Sequence, residues 1–130
     1  MINIRFRNTE LKDIVLPGAL VMVSELVRPL RPAYTDRRLV IPGRPGSWDF
    51  GPGTAMDYEI TVVLEITAKE TELATEMTQH ISDWLAGKGA LVFSDHPETV
   101  HTGQVIEQIE CQRMSRGNVF RITIVFACDA

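Results

Sequence analysis

Asp95, His96, Glu98 and His101 place two imidazoles and two carboxylates within seven residues. Groups of this kind suit zinc or iron, which accept nitrogen and oxygen donors. The same stretch also reads as a polar turn between two strands, with Pro97 fixing one backbone angle and Asp95 capping the turn. No cysteine stands close to it and its spacing matches no ligand motif, so the turn is the expectation and no metal is assigned. His80 lies beside the apolar stripe of a helix, where an imidazole without a fixed acid or nucleophile covers the edge of a core. Cys111 and Cys128 fall on apolar strand faces, where a thiol behaves as a small inert hydrophobe. The chain contains no glycine-rich run ending in Lys-Ser or Lys-Thr, no Gly-x-Ser-x-Gly elbow and no His-Glu-x-x-His pair. The sequence therefore predicts no catalytic residue, no cofactor and no enzyme.

A different group of residues is concentrated in the segment from 28 to 57. Five of the seven prolines fall between residues 29 and 53, interspersed with Gly43, Gly46, Gly51 and Gly53. That density excludes a helix and breaks any long strand. The segment is also basic, through Arg28, Arg31, Arg37, Arg38 and Arg44, while the remainder of the chain holds most of the acids. Tyr34 is the sole stacking aromatic among the arginines, so this is a weak nucleic-acid site. A basic limb on an acidic body fits pairing between subunits better. Trp48 and Phe50 point the same way, because large aromatics in a Pro/Gly loop gain little from a solitary domain. The expected interface residues are Arg28, Arg31, Tyr34, Arg37, Arg38, Arg44, Trp48 and Phe50. An ordered extension of about 30 residues carries a large entropic cost unless a neighbour holds it.

The elements that must carry this limb are legible from periodicity. Gly18 to Val27 is a β-branched and aliphatic run between Pro17 and Pro29, predicted as a strand at least partly buried on both faces. Tyr58, Ile60, Val62, Leu64 and Ile66 alternate along one face of a second strand, with Val63 the exception on the other. Leu73, Met77, Ile81, Trp84 and Leu85 form a single stripe on a helix from about 70 to 86. Thr67 to Glu70 has the form of a capping box and Gly87 supplies a stop. Ala90 to Phe93 is a short strand. The chain closes with a hairpin: Val105, Ile109 and Cys111 share one face, Phe120, Ile122, Ile124, Phe126 and Cys128 share the other strand's face, and Ser115 to Asn118 turn between them. Parity then sets Cys128 opposite residue 105 or 107, too far from Cys111 for a disulfide. Residues 1–13 read as a polar lead-in with one apolar patch, Ile2, Ile4 and Phe6. The sum predicts an α+β fold: a small, mostly antiparallel sandwich or curved sheet with one packed helix and an extended β arm at 28–57.

Composition agrees with one domain over residues 1–130: 45% of residues are hydrophobic and 23% charged, with a net charge of −4. An acidic chain is no dedicated nucleic-acid binder. No apolar run approaches membrane-spanning length and no secretory signal opens the chain, which predicts synthesis in a cytoplasm and no membrane partner.

The whole chain resembles the N-terminal, ring-forming domain of phage distal tail proteins, a family of siphovirus-type tail components found in phages and prophages. The likeness runs in order through Ile41-Pro42-Gly43-Arg44-Pro45-Gly46, the strand Tyr58 to Ile66, the helix end Ile81-Ser82-Asp83-Trp84-Leu85, Leu91 to Pro97 and the closing strand Phe120 to Cys128. The resemblance implies a structural virion protein of the tail, made in the bacterial host, that forms a homohexameric ring joining the tail tube to the baseplate hub. DNA would pass through the lumen without specific binding, which an acidic surface suits. Residues 41 to 50 would lie in an arm packed on the adjacent subunit, and the family brings no catalytic residues. Many members continue into a C-terminal domain that docks receptor-binding parts; this sequence ends at Ala130, so no receptor role is carried over. Other readings are a tube or tail-completion ring and, more distantly, a small metal-dependent or ligand-binding enzyme.

Overall fold

The computed structural model describes residues 2–31, 33, 38–40, 47–49, 55–113 and 119–130, with backbone alone at 38–40 and 47–49. Its centre is the antiparallel pairing of β6 (Tyr58–Ala68) with β10 (Val119–Cys128), which runs in register from Val119 opposite Thr67 to Cys128 opposite Tyr58. Alternation explains the pairing. Ile60, Val62, Leu64 and Ile66 on β6 and Phe120, Ile122, Ile124, Phe126 and Cys128 on β10 are all buried on one side. Val63 is buried on the opposite side, as the exception in the pattern foreshadowed.

Eight strands form the sheet, in the order β2 (Thr9–Glu10), β1 (Ile4–Phe6), β7 (Lys88–Phe93), β8 (His101–Val105), β10, β6 and β3 (Ala19–Val27), with β9 (Glu110–Arg113) also on β10. A two-stranded ladder, β4 (Arg38–Val40) with β5 (Ser47–Asp49), stands apart from it. The sheet curls. Phe6 and Phe126 lie on strands separated by β7 and β8, which in a flat sheet would be roughly 14 Å apart at ~4.8 Å per strand. Their ring centroids are nevertheless 5.4 Å apart. Helix α2 (Thr71–Trp84) fills the concave side with Ala74, Met77, Ile81 and Trp84, and Leu85 follows. Trp84 meets Phe6 edge-on and donates its indole N–H to the Thr9 carbonyl at 3.0 Å. The predicted α+β class, with a curved antiparallel sheet and one main helix, is what the structure has.

Local corrections have physical causes. The lead-in is part of the core: Ile4 and Phe6 are fully buried, and a tight turn at Arg7 and Asn8, with φ of 53° and 65°, folds β1 onto β2. A four-residue helix, α1 (Leu11–Ile14), follows. The capping box does not form, because Thr67 and Ala68 are still paired in β6; Glu70 is the N-cap of α2, and its side chain makes no cap bond. Strand β3 is introduced by a turn through Pro17 and Gly18, where Gly18 holds φ of 87° and Ala19 donates to Leu16. It is an edge strand, and burial on both faces is not observed: Val21 is buried while Leu20 and Met22 are exposed.

The closing hairpin is interrupted. On β9 Cys111 opposes Ile122, but on β8 Val105 opposes Phe126, a register two residues different. Cys128 therefore faces Gly103, not 105 or 107. A side chain at 103 would place its Cβ 3.0 Å from the Cys128 sulfur, which makes glycine the fitting residue at that crossing. Cys111 is exposed and Cys128 buried, both free thiols, so the expected inward position holds for Cys128 alone. His80 is exposed on α2 rather than covering the core edge.

Candidate functional site

The predicted interface residues fall into three groups. Tyr34, Arg37, Arg44 and Phe50 lie outside the described residues. Arg38 and Trp48 belong to the β4–β5 ladder, in which Arg38 opposes Asp49 and Leu39 opposes Trp48. Arg28 and Arg31 stand at the start of the excursion, Arg31 exposed and Arg28 committed to the body.

Arg28 follows the last residue of β3, and its guanidinium meets the carboxylate of Asp95 through two parallel hydrogen bonds of 3.0 and 2.5 Å. The fork matches a carboxylate geometrically, which a lysine would not. The same guanidinium lies over the Phe93 ring, 5.1 Å from its centroid. Phe93 is buried at the end of β7 and Asp95 sits in the turn that follows, so the strand fixes the ring and the turn presents the acid. Hydrogen bonding to Arg28 holds the Asp95 carboxyl below its ordinary range.

The other end of the excursion is held by the same stretch. Tyr58, the first residue of β6, is joined through its hydroxyl to Nδ1 of His101, the first residue of β8, at 2.5 Å. His101 also packs edge-on against Tyr58 and Phe93, with centroids 5.7 and 6.0 Å away. Burial, then the charges of Arg28 and His96, lowers the His101 pKa and favours the neutral ring. With the phenol as donor, the imidazole carries its proton on Nε2. Burial, then Cys128 and Asp129, raises the Tyr58 pKa and keeps the hydroxyl protonated. Between the two ends, the Met56 amide donates to the Ala33 carbonyl at 2.7 Å and ties the incoming strand of chain to the outgoing one.

These groups surround a cleft of about 640 Å³ whose walls include Arg28, Leu30, Tyr58, Asp95, His96 and His101. Leu30 is 98% exposed on its rim. Of the four possible ligands read in the sequence, three are engaged elsewhere: Asp95 with Arg28, His101 with Tyr58, and His96 with the Thr99 hydroxyl at 2.5 Å. The Asp95 carboxylate serves Arg28 in addition to sitting in the turn, and among the described residues no three His, Cys, Asp or Glu side chains come together to hold a metal ion. Each of these pairs fixes the position of its two partners.

Sequence reasoning did not bring these partners together. Arg28 and Asp95 are 67 residues apart and Tyr58 and His101 are 43 apart, beyond the reach of any local period. One signal was present: Tyr58 puts a hydroxyl on the inward, otherwise aliphatic face of β6, and a half-buried phenol needs an acceptor.

No family model and no curated protein matches the chain in sequence. In structure it is similar to SPP1 Dit (gp 19.1), described as a paradigm of the hub adsorption apparatus in phages infecting Gram-positive bacteria. The TM-score is 0.73 at 17% identity, over 98% of this chain and 49% of that one. The chain thus spans about half the length of the protein it matches, and what the two share is the fold.

Proposed function

We propose that the chain is a structural subunit of a phage tail, a ring-forming component joining the tail tube to the hub at the tail tip. The observation that carries this reading is the fold: 98% of the chain aligns with a phage hub adsorption protein at a TM-score of 0.73. Two features of this molecule support it. Among the described residues, the β4–β5 ladder of the excursion from 28 to 57 joins no strand of the main sheet, the form expected of an arm that reaches a neighbouring copy. Its arginines carry the sign opposite to Glu70, Glu72 and Glu76, which with Lys69 line one groove beside α2.

In this reading six copies close head to tail, each arm resting on the next subunit, and the tube protein and hub protein pack above and below. DNA passes through the lumen without being held, because a chain of net charge −4 does not favour phosphates. Multi-angle light scattering tests the assembly: the ring predicts a species about six times the 14.6 kDa of one chain. A single chain at every concentration, with or without tube protein, would overturn it.

A further inference from the structure

The two ends of the excursion are fastened to one short piece of the body. Arg28 at the entrance is gripped by Asp95 and rests on Phe93; Tyr58 at the exit is bonded to His101. All three body residues fall between 93 and 101, a strand end, a turn and a strand start. The turn is braced by its own backbone, with His96 donating to Phe93 and Thr99 to His96. Met56 and Ala33 close the base of the excursion just beyond these anchors.

We propose that residues 93–101 form a clamp that sets the direction in which the arm leaves the body, with Asp95 and His101 as its positioning residues. The proposal rests on the arm serving self-assembly, but the clamp is a property of the single chain. A segment anchored at one end swings about that point, whereas one anchored at both ends on a rigid support keeps its heading. Bidentate pairing removes rotation at Arg28, because two parallel bonds and a ring face define the guanidinium plane. The Tyr58 bond fixes the other end to β8, which pairs with β7 and β10 where they bury Leu91, Phe126 and Cys128. A ring needs every arm to leave at the same angle, since a heterologous contact closes only when its rotation is constant.

Hydrogen exchange and assembly, followed together, test the clamp in the full chain. In Asp95→Asn the Met56 amide should exchange about fivefold faster, a loss suited to one partly exposed charged pair. Amides of Val62 and Ile124, deep in the sheet, should keep their protection. The assembled fraction should fall in Asp95→Asn and in Arg28→Ala, and the exchanged pair Arg28→Asp with Asp95→Arg should recover part of both effects. Unchanged Met56 exchange in Asp95→Asn would overturn the clamp, as would failure of the exchanged pair to recover anything. Loss of protection at Val62 and Ile124 as well would make the pair a general stabiliser and also overturn it. If the parent chain never assembles, the ring reading fails while Met56 exchange still decides the clamp.

Discussion

The curled sheet with α2 and the excursion from 28 to 57 are built on opposite principles. In the first, apolar side chains recur at the period of their element, and those facing the core find cover within the same chain: Phe6, Phe93, Phe126, Leu64, Met77 and Ile81 are almost completely buried. In the second, prolines and glycines replace periodicity, and the described strands pair with each other outside the main sheet. The body holds itself together, whereas the excursion is anchored to it through Arg28 and Tyr58. Stability and assembly should accordingly respond to different mutations.

The sharpest way to break this comparison is to damage each region and look for the wrong consequence. Phe126→Ala removes a fully buried ring from the concave side and should lower unfolding free energy by about 3–5 kcal/mol in a urea titration. Gly103→Ala comes next. Its new methyl stands 3.0 Å from the Cys128 sulfur and 3.3 Å from the Ala127 carbonyl oxygen. Overpacking of that kind should cost about 1–3 kcal/mol, and adding Cys128→Ala should recover part of it.

The anchors at the ends of the excursion should respond to acid. His101 has a lowered pKa in the folded chain, so the stability it contributes is present above the ordinary imidazole value of 6.5 and is lost as pH falls through its folded value. Asp95 is lowered too, and its contribution is lost further down, below the ordinary 3.8. Thermal melts of the parent should therefore decline as pH falls below 6.5, and His101→Phe should show a flatter profile there. An equally steep decline in His101→Phe would remove His101 from the account.

Trp48→Ala should have the smallest effect on the body. We predict a melting transition within about 0.5 kcal/mol of the parent, together with a clear loss of oligomer. A large destabilisation of the monomer would assign Trp48 to the chain's own core and erase the contrast between the regions. The two thiols sharpen the same picture of inside and outside. Burial, then Asp129, pushes Cys128 up to about 11, while Cys111 is exposed. An alkylating reagent at neutral pH should modify Cys111 first and leave Cys128 until the chain unfolds.

How far the sequence reached follows from the range of the interactions. The alternation from Tyr58 to Ile66 and from Phe120 to Cys128, and the stripe of α2, are local signals, and they located three elements that form most of the core. Ile2, Ile4 and Phe6 stand at strand spacing, but so short a run does not reveal that β1 takes its cover from α2 and β10. The break between β8 and β9 was hidden because a two-residue shift preserves parity, so the apolar faces look continuous across it. Cys111 accordingly looked inward. In the candidate site the arginine-rich, proline-rich excursion was evident from composition, but its anchors were not. Asp95 and His101 read as turn residues or ligands until the fold placed Arg28 and Tyr58 beside them.

The central claim is that residues 28–57 reach another copy of the same chain. An electron micrograph of the purified protein, carried to subunit detail, tests it most directly. The account predicts a closed ring in which the β4–β5 ladder of each copy lies on its neighbour. A particle containing one chain, with that ladder folded back against its own sheet, would contradict it.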